Sequence, residues 1–284
     1  MLGNAVRGTC SCPSVLIAAN VVRNTGDRGT GGIAMNTAYT YAPGQRLAWL
    51  ADRLIRLDGA YLITGSQAAY QYHRWLTPLE NLASIQVYAA DAPAWWRLAG
   101  DGCAVFETLP TTAQVRAAQK TIVLESTLEP GRYRRRQMID ELAFVAPEDL
   151  CLDLVERACG ETSPAEVAAI LIARREALDW PTLLAQAGQR GLARRLGVLI
   201  EATSVELGAD LAPAWFVGQL HRLAEGEPFS GQDYPVVRRR AMLEAYPALA
   251  ERWGVRLRLP RHVIGKVVLD LSMHSGPVFQ PAER

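Results

Sequence analysis

From Pro43 onward the apolar residues fall into a regular pattern. Leu47, Leu50, Ala51, Leu54 and Ile55 share one face of a predicted helix over Gln45 to Arg56, which Asp58-Gly59 ends with a turn. Ala60 to Ile63 is short and apolar, a predicted buried strand. Gly65-Ser66 follows it, then a helix from Gln67 to about Trp75. Thr77-Pro78 breaks the chain, and the alternation over Ser84 to Ala89 predicts another strand. Further strands are expected at Ala104 to Leu109 and Thr121 to Glu125. A hairpin is expected from Tyr133 to Met138 and Leu142 to Val145, turning at Asp140-Glu141.

After Pro147 the period becomes helical. One helix is predicted from Pro147 to Ala158. Ser163-Pro164-Ala165-Glu166 is a capping box with proline at the first helical position, so a second helix starts there and runs to about Ala177. Asp179 caps a third, and Gly188 and Gly191 punctuate the chain before a helix over Leu192 to Ala202. Helices near Ala214 to Ala224 and Tyr234 to Trp253, then a strand over Val255 to Leu259, complete the pattern. A mixed sheet followed by helices indicates an α+β or α/β fold.

Residues 1–34 differ from the rest. They are rich in Gly, Thr, Asn and Ser without a sustained period, and are expected to be a disordered extension. Met35 opens a stretch that reads as a folded start and is an alternative initiator. The expected organisation is then a core over 35–160, a helical region over 161–205 and a small helical element over 206–284.

Composition narrows the classes. With 49% hydrophobic and 21% charged residues in 284, the chain can bury a sizeable core. A net charge of +1 gives no whole-molecule attraction to nucleic acid or to a membrane, so any anion binding has to be local. Cys10, Cys12, Cys103, Cys151 and Cys159 are odd in number and dispersed, and with four scattered histidines they give no zinc-ligand spacing. They read as free thiols in a reducing compartment. No apolar run reaches the roughly 18 residues of a membrane helix, and the expected location is cytoplasmic, with no membrane partner.

Candidate chemistry centres on Thr64-Gly65-Ser66 between a strand and a helix. Glycine permits a sharp turn, and the serine hydroxyl with the first free N–H groups of the helix can face a phosphate. The same arrangement also builds ordinary α/β turns. Arg132, Arg134 and Arg136, placed on one face of the predicted strand, form either an anion-binding face or a charged edge that resists pairing. Trp95-Trp96 and the group Tyr70, Tyr72, His73 and Trp75 are read as packing aromatics. Asp149, Asp153 and Glu156 line one helix and are read as a solvated acidic face.

Leu62-Ile63-Thr64-Gly65-Ser66-Gln67-Ala68-Ala69, Val145-Ala146-Pro147-Glu148-Asp149-Leu150 and Ala177-Leu178-Asp179-Trp180-Pro181-Thr182-Leu183-Leu184 together resemble the nucleotidyltransferase-fold proteins of AbiE-type toxin–antitoxin systems. The matching segments span about residues 45–205. The resemblance implies an α/β fold, with a nucleotidyltransferase-like mixed sheet, flanking helices and a helical region beyond. It implies a nucleotide at Gly65 and Ser66, and a cognate toxin protein or nucleic acid as partner. Active members carry two acids, one residue apart, on the strand after the Gly-Ser helix, where they hold Mg²⁺. Here those positions are Ser84 and Gln86, both neutral. The expectation is a regulator of the AbiEi antitoxin type, with no catalytic residue, metal ligand or cofactor. The winged-helix domain usual in such antitoxins does not fit the chain. The alternative is an enzyme moving NMP from NTP–Mg²⁺ onto protein or RNA, with Asp91 or Glu107 recruited as ligands.

Overall fold

The computed structural model describes residues 60–73, 84–89, 104–109, 112–117, 120–125, 128–139, 141–157, 162–227, 233–234 and 245–274. The chain divides into two units, residues 1–38 and 39–284, and all described residues belong to the second. The expected disordered extension, the helix over Gln45 to Arg56, Trp75, Trp95-Trp96 and Asp91 lie outside the described residues.

Strand β1 (Tyr61–Thr64) is an interior strand of a seven-stranded sheet with order β3-β4-β5-β2-β1-β7-β6. Its neighbours are β2 (Ser84–Ala89), antiparallel, and β7 (Leu142–Phe144), parallel. The remaining strands are β3 (Ala104–Leu109), β4 (Thr112–Ala117), β5 (Lys120–Glu125) and β6 (Gln137–Ile139). All four residues of β1 are buried, which explains its unbroken apolar run: a strand covered on both faces has no polar side to alternate. Leu62 and Ile63 are fully buried, each stabilising by about 2 kcal/mol relative to exposure.

Helix α1 (Gly65–His73) leaves the end of β1 and packs on α3 (Pro147–Glu156) and α4 (Thr162–Arg174). The expected third helix is α5 (Trp180–Arg190). Asp179 caps it, its Oδ1 accepting from the Thr182 N–H at 3.0 Å, and it ends at Gly191 with φ 64°, a left-handed conformation glycine adopts freely. Helices α6 (Ala193–Leu207) and α7 (Ala214–Gly226) follow, packed on one another and on α5. The observed architecture is thus α/β, a mixed sheet with flanking helices followed by a helical region.

Two expectations are corrected, and two elements were not expected. Residues 133–136 are not strand: a short helix α2 (Pro130–Arg134) precedes β6, because Pro130 favours a first helical turn. Tyr234 to Trp253 is not one helix. It holds strand β8 (Asp233–Tyr234) and helix α8 (Pro247–Trp253), and Pro247 opens the latter. Beyond strand β9 (Arg256–Leu257) comes a helix not expected from the sequence, α9 (Arg261–His274), packed on α4 and α6. Strand β4 was also not expected. Among the described residues no helix is long and apolar enough to cross a membrane.

Candidate functional site

Gly65 has φ 68°, so the chain can leave β1 and enter α1 within one residue. Thr64 pairs with Gln86 across β1 and β2, which puts their side chains on one face of the sheet. The Gln86 carboxamide lies against the turn, its Oε1 2.6 Å from where a β-carbon on Gly65 would stand. In register, β5 sets Val123 beside Gln86 and Thr121 beside Ser84. None of these four positions is acidic. Glu107 lies on β3, two strands further from β2 than β5.

Ser66 does not stand open at the head of α1. Its hydroxyl donates to the carboxyl of Glu166, which reaches across from α4. Burial pushes the Glu166 carboxyl up to about 7, against the opposing pull of the Ser66 hydrogen bond. The Ser66 hydroxyl is therefore engaged by a carboxyl from α4. The sequence marks Glu166 only as a capping-box residue. Its contact with Ser66, a hundred positions earlier in the chain, has no local signature.

The acidic face expected on α3 is solvated only at Glu156, whose side chain is 51% exposed; at Asp149 and Asp153 that expectation is corrected. Asp149 and Asp153 are buried, and each is neutralised by arginine. Arg135 donates to Asp149 through Nε at 3.1 Å and Nη2 at 2.9 Å. Arg132 and Arg190 both donate to Asp153 Oδ1, Arg190 at 2.9 Å, and Arg190 also pairs with Glu156. The Tyr88 hydroxyl donates to Asp153 Oδ2 at 3.0 Å. Burial opposes the Arg132 charge, yet Asp153, Tyr88 and Asp149 outweigh it and hold its guanidinium above the ordinary value. A buried carboxylate saturated in this way has little capacity left for a metal ion.

The three arginines expected on one strand face do not share a strand. Arg132 is folded onto Asp153, Arg134 is exposed at the end of α2, and Arg136 lies over the Tyr133 ring at 4.2 Å. Their joint placement rested on a period of two, which a helical turn does not keep.

Tyr72 and His73 pack inward, as expected of core aromatics. The Tyr72 hydroxyl donates to the Val145 carbonyl at 2.5 Å, tying α1 to the start of α3. Burial lowers His73 to about 4, so its imidazole is neutral at physiological pH. Cys151 is a buried free thiol. Among the described residues no three of His, Cys, Asp and Glu are grouped so as to hold a metal ion.

No protein-family model matches the chain, and no curated protein matches it. Two solved structures are distantly similar. One is a proposed nucleotidyltransferase from H. pylori, at 8% identity over 84% of this chain and 96% of that chain, with a TM-score of 0.39. The other is JHP933 from Helicobacter pylori, at 9% identity over 83% of this chain and 94% of that chain, also with a TM-score of 0.39. A likeness this distant leaves the site to be judged from the chain's own residues.

Proposed function

We propose that the protein is a non-catalytic regulator with a nucleotidyltransferase-like fold, of the AbiEi antitoxin kind, acting by binding a partner. The observation that carries this is the neutral Gln86 side chain set against Gly65 from β2, with neutral Ser84 two residues before it. Transfer of a nucleotidyl group needs divalent cations held between carboxylates and phosphate oxygens. Gln86 occupies the position against Gly65 where such a carboxylate would stand. The carboxylates of this region have other tasks: Glu166 accepts from Ser66, and Asp149 and Asp153 on α3 neutralise arginines.

Of the two partner classes, a protein is favoured over nucleic acid. A helical turn at Arg132 and Arg134 in place of a strand argues against a shared anion-binding face, and the net charge of +1 supplies no general one. Leu269 and Met273, one turn apart on α9, are 56% and 72% exposed and give apolar surface suited to a protein. A nucleotide at Gly65 and Ser66 remains compatible with this role, as a weak ligand of the helix N-terminus in competition with Glu166.

Titration calorimetry tests the reading. Mg²⁺ added to the protein with each NTP present is expected to show no nucleotide-dependent site. A stoichiometric Mg²⁺ site that appears only with nucleotide would favour the enzyme.

A further inference from the structure

The connection between β5 and β6 has to pass from one side of β2 and β1 to the far edge of the sheet. Its residues 128–136 include α2, and this segment is attached in an unusual way. No residue of α2 is fully buried, and Glu129 makes no side-chain cap at its start. Leu128 and Tyr133 are only partly buried against the core.

The polar attachments are stronger. The Arg132 side chain is 12% exposed and bonds Asp153, with Asp149 at 3.9 Å. Its guanidinium also stands 5.1 Å from the centre of the Tyr88 ring. Arg135 grips both oxygens of Asp149, whose own side chain is 1% exposed. Two arginines from one short segment thus close over two carboxylates on α3 and an aromatic ring on β2. Planar guanidinium groups suit that task, because each satisfies several acceptors while covering the surface beneath.

We infer that residues 128–136 form a strap held shut mainly by these ion pairs, able to open as a unit while the rest of the fold stays intact. Opening bares Asp149 and uncovers the strap-facing side of Tyr88 and Asp153, with Asp153 still paired to Arg190. A segment fastened by apolar burial would open only with the core. One fastened by a few charge-assisted bonds opens when one of them is lost, because each contributes about a factor of ten in the opening equilibrium.

Limited trypsin digestion under native conditions reads this directly, since the strap carries its own cleavage sites. Cleavage after Arg134 and Arg136 is compared by mass spectrometry with cleavage after Arg194 and Arg195, which lie within α6. In Asp149→Asn, cleavage of the strap is expected to rise about tenfold, with the α6 sites unchanged. Arg135→Gln, which alters a side chain 39% exposed and so spares the core, is expected to act the same way. No rise at the strap in Arg135→Gln overturns the inference. So does a rise that the α6 sites share, because the opening would then be global.

Discussion

Gln86 and Gly65 are in contact across two strands: the Gln86 Oε1 lies 2.6 Å from the position of a β-carbon on residue 65. One glycine thus serves both the backbone, at φ 68°, and the side chain of its neighbour. Gly65→Ala is expected to lose about 1–2 kcal/mol in denaturant unfolding, from left-handed strain and from displacing the carboxamide. Adding Gln86→Ala should recover only the second part. Equal losses from Gly65→Ala with and without Gln86 would show that the contact carries no energy.

The helical region contains a closer approach. A β-carbon on Gly197 would stand 2.2 Å from the Trp253 ring. That ring cannot easily retreat: its Nε1 donates to Glu201 at 2.8 Å, and His221 stacks on it at 3.7 Å. Gly197→Ala is expected to destabilise by about 1–3 kcal/mol or more, as overpacking of a fixed core does. Trp253→Phe in the same chain should restore part of the loss. A wild-type melting temperature for Gly197→Ala would contradict this packing.

A buried histidine and a partly buried carboxyl make stability respond to acid in opposite senses. Glu166 has its pKa raised to about 7 in the fold, so its contribution is fully present below its unfolded value of 4.5 and is lost as pH rises through 7. His73 has its pKa lowered to about 4, so its contribution is present above 6.5 and is lost as pH falls toward 4. Between pH 6.5 and 4.5 the two trends oppose each other. Glu166→Gln should therefore make stability fall on acidification through this window, and His73→Gln should make it rise. Urea midpoints measured at half-unit steps decide it, and parallel curves for both variants and the wild type would refute the assignment.

Much of the fold was legible because its signals are local. The unbroken apolar run in β1, the alternation in β2 and the Asp179 cap each occupy a few adjacent residues, and each element formed near where it was expected. The run Arg132-Tyr133-Arg134-Arg135-Arg136 misled because it has almost no contrast between apolar and polar positions. Period two and period 3.6 both fit it, and Pro130 decided for a helical turn. At the site, the neutrality of Ser84 and Gln86 was readable from identity alone. The roles of Glu166, Asp149 and Asp153 were not, because their partners Ser66, Arg135 and Arg190 are distant in sequence and meet them only through packing.

The central claim is that the Gly65–Ser66 turn does no nucleotidyl transfer, and label transfer tests it most directly. Purified protein is incubated with each radiolabelled NTP, with Mg²⁺ or Mn²⁺, and with candidate RNA and protein acceptors. No acceptor is expected to take up label, because β2 sets neutral Ser84 and Gln86, with Gln86 against Gly65, where an acidic pair would hold Mg²⁺. Robust transfer that is abolished by Ser66→Ala would contradict the account and make the protein an enzyme.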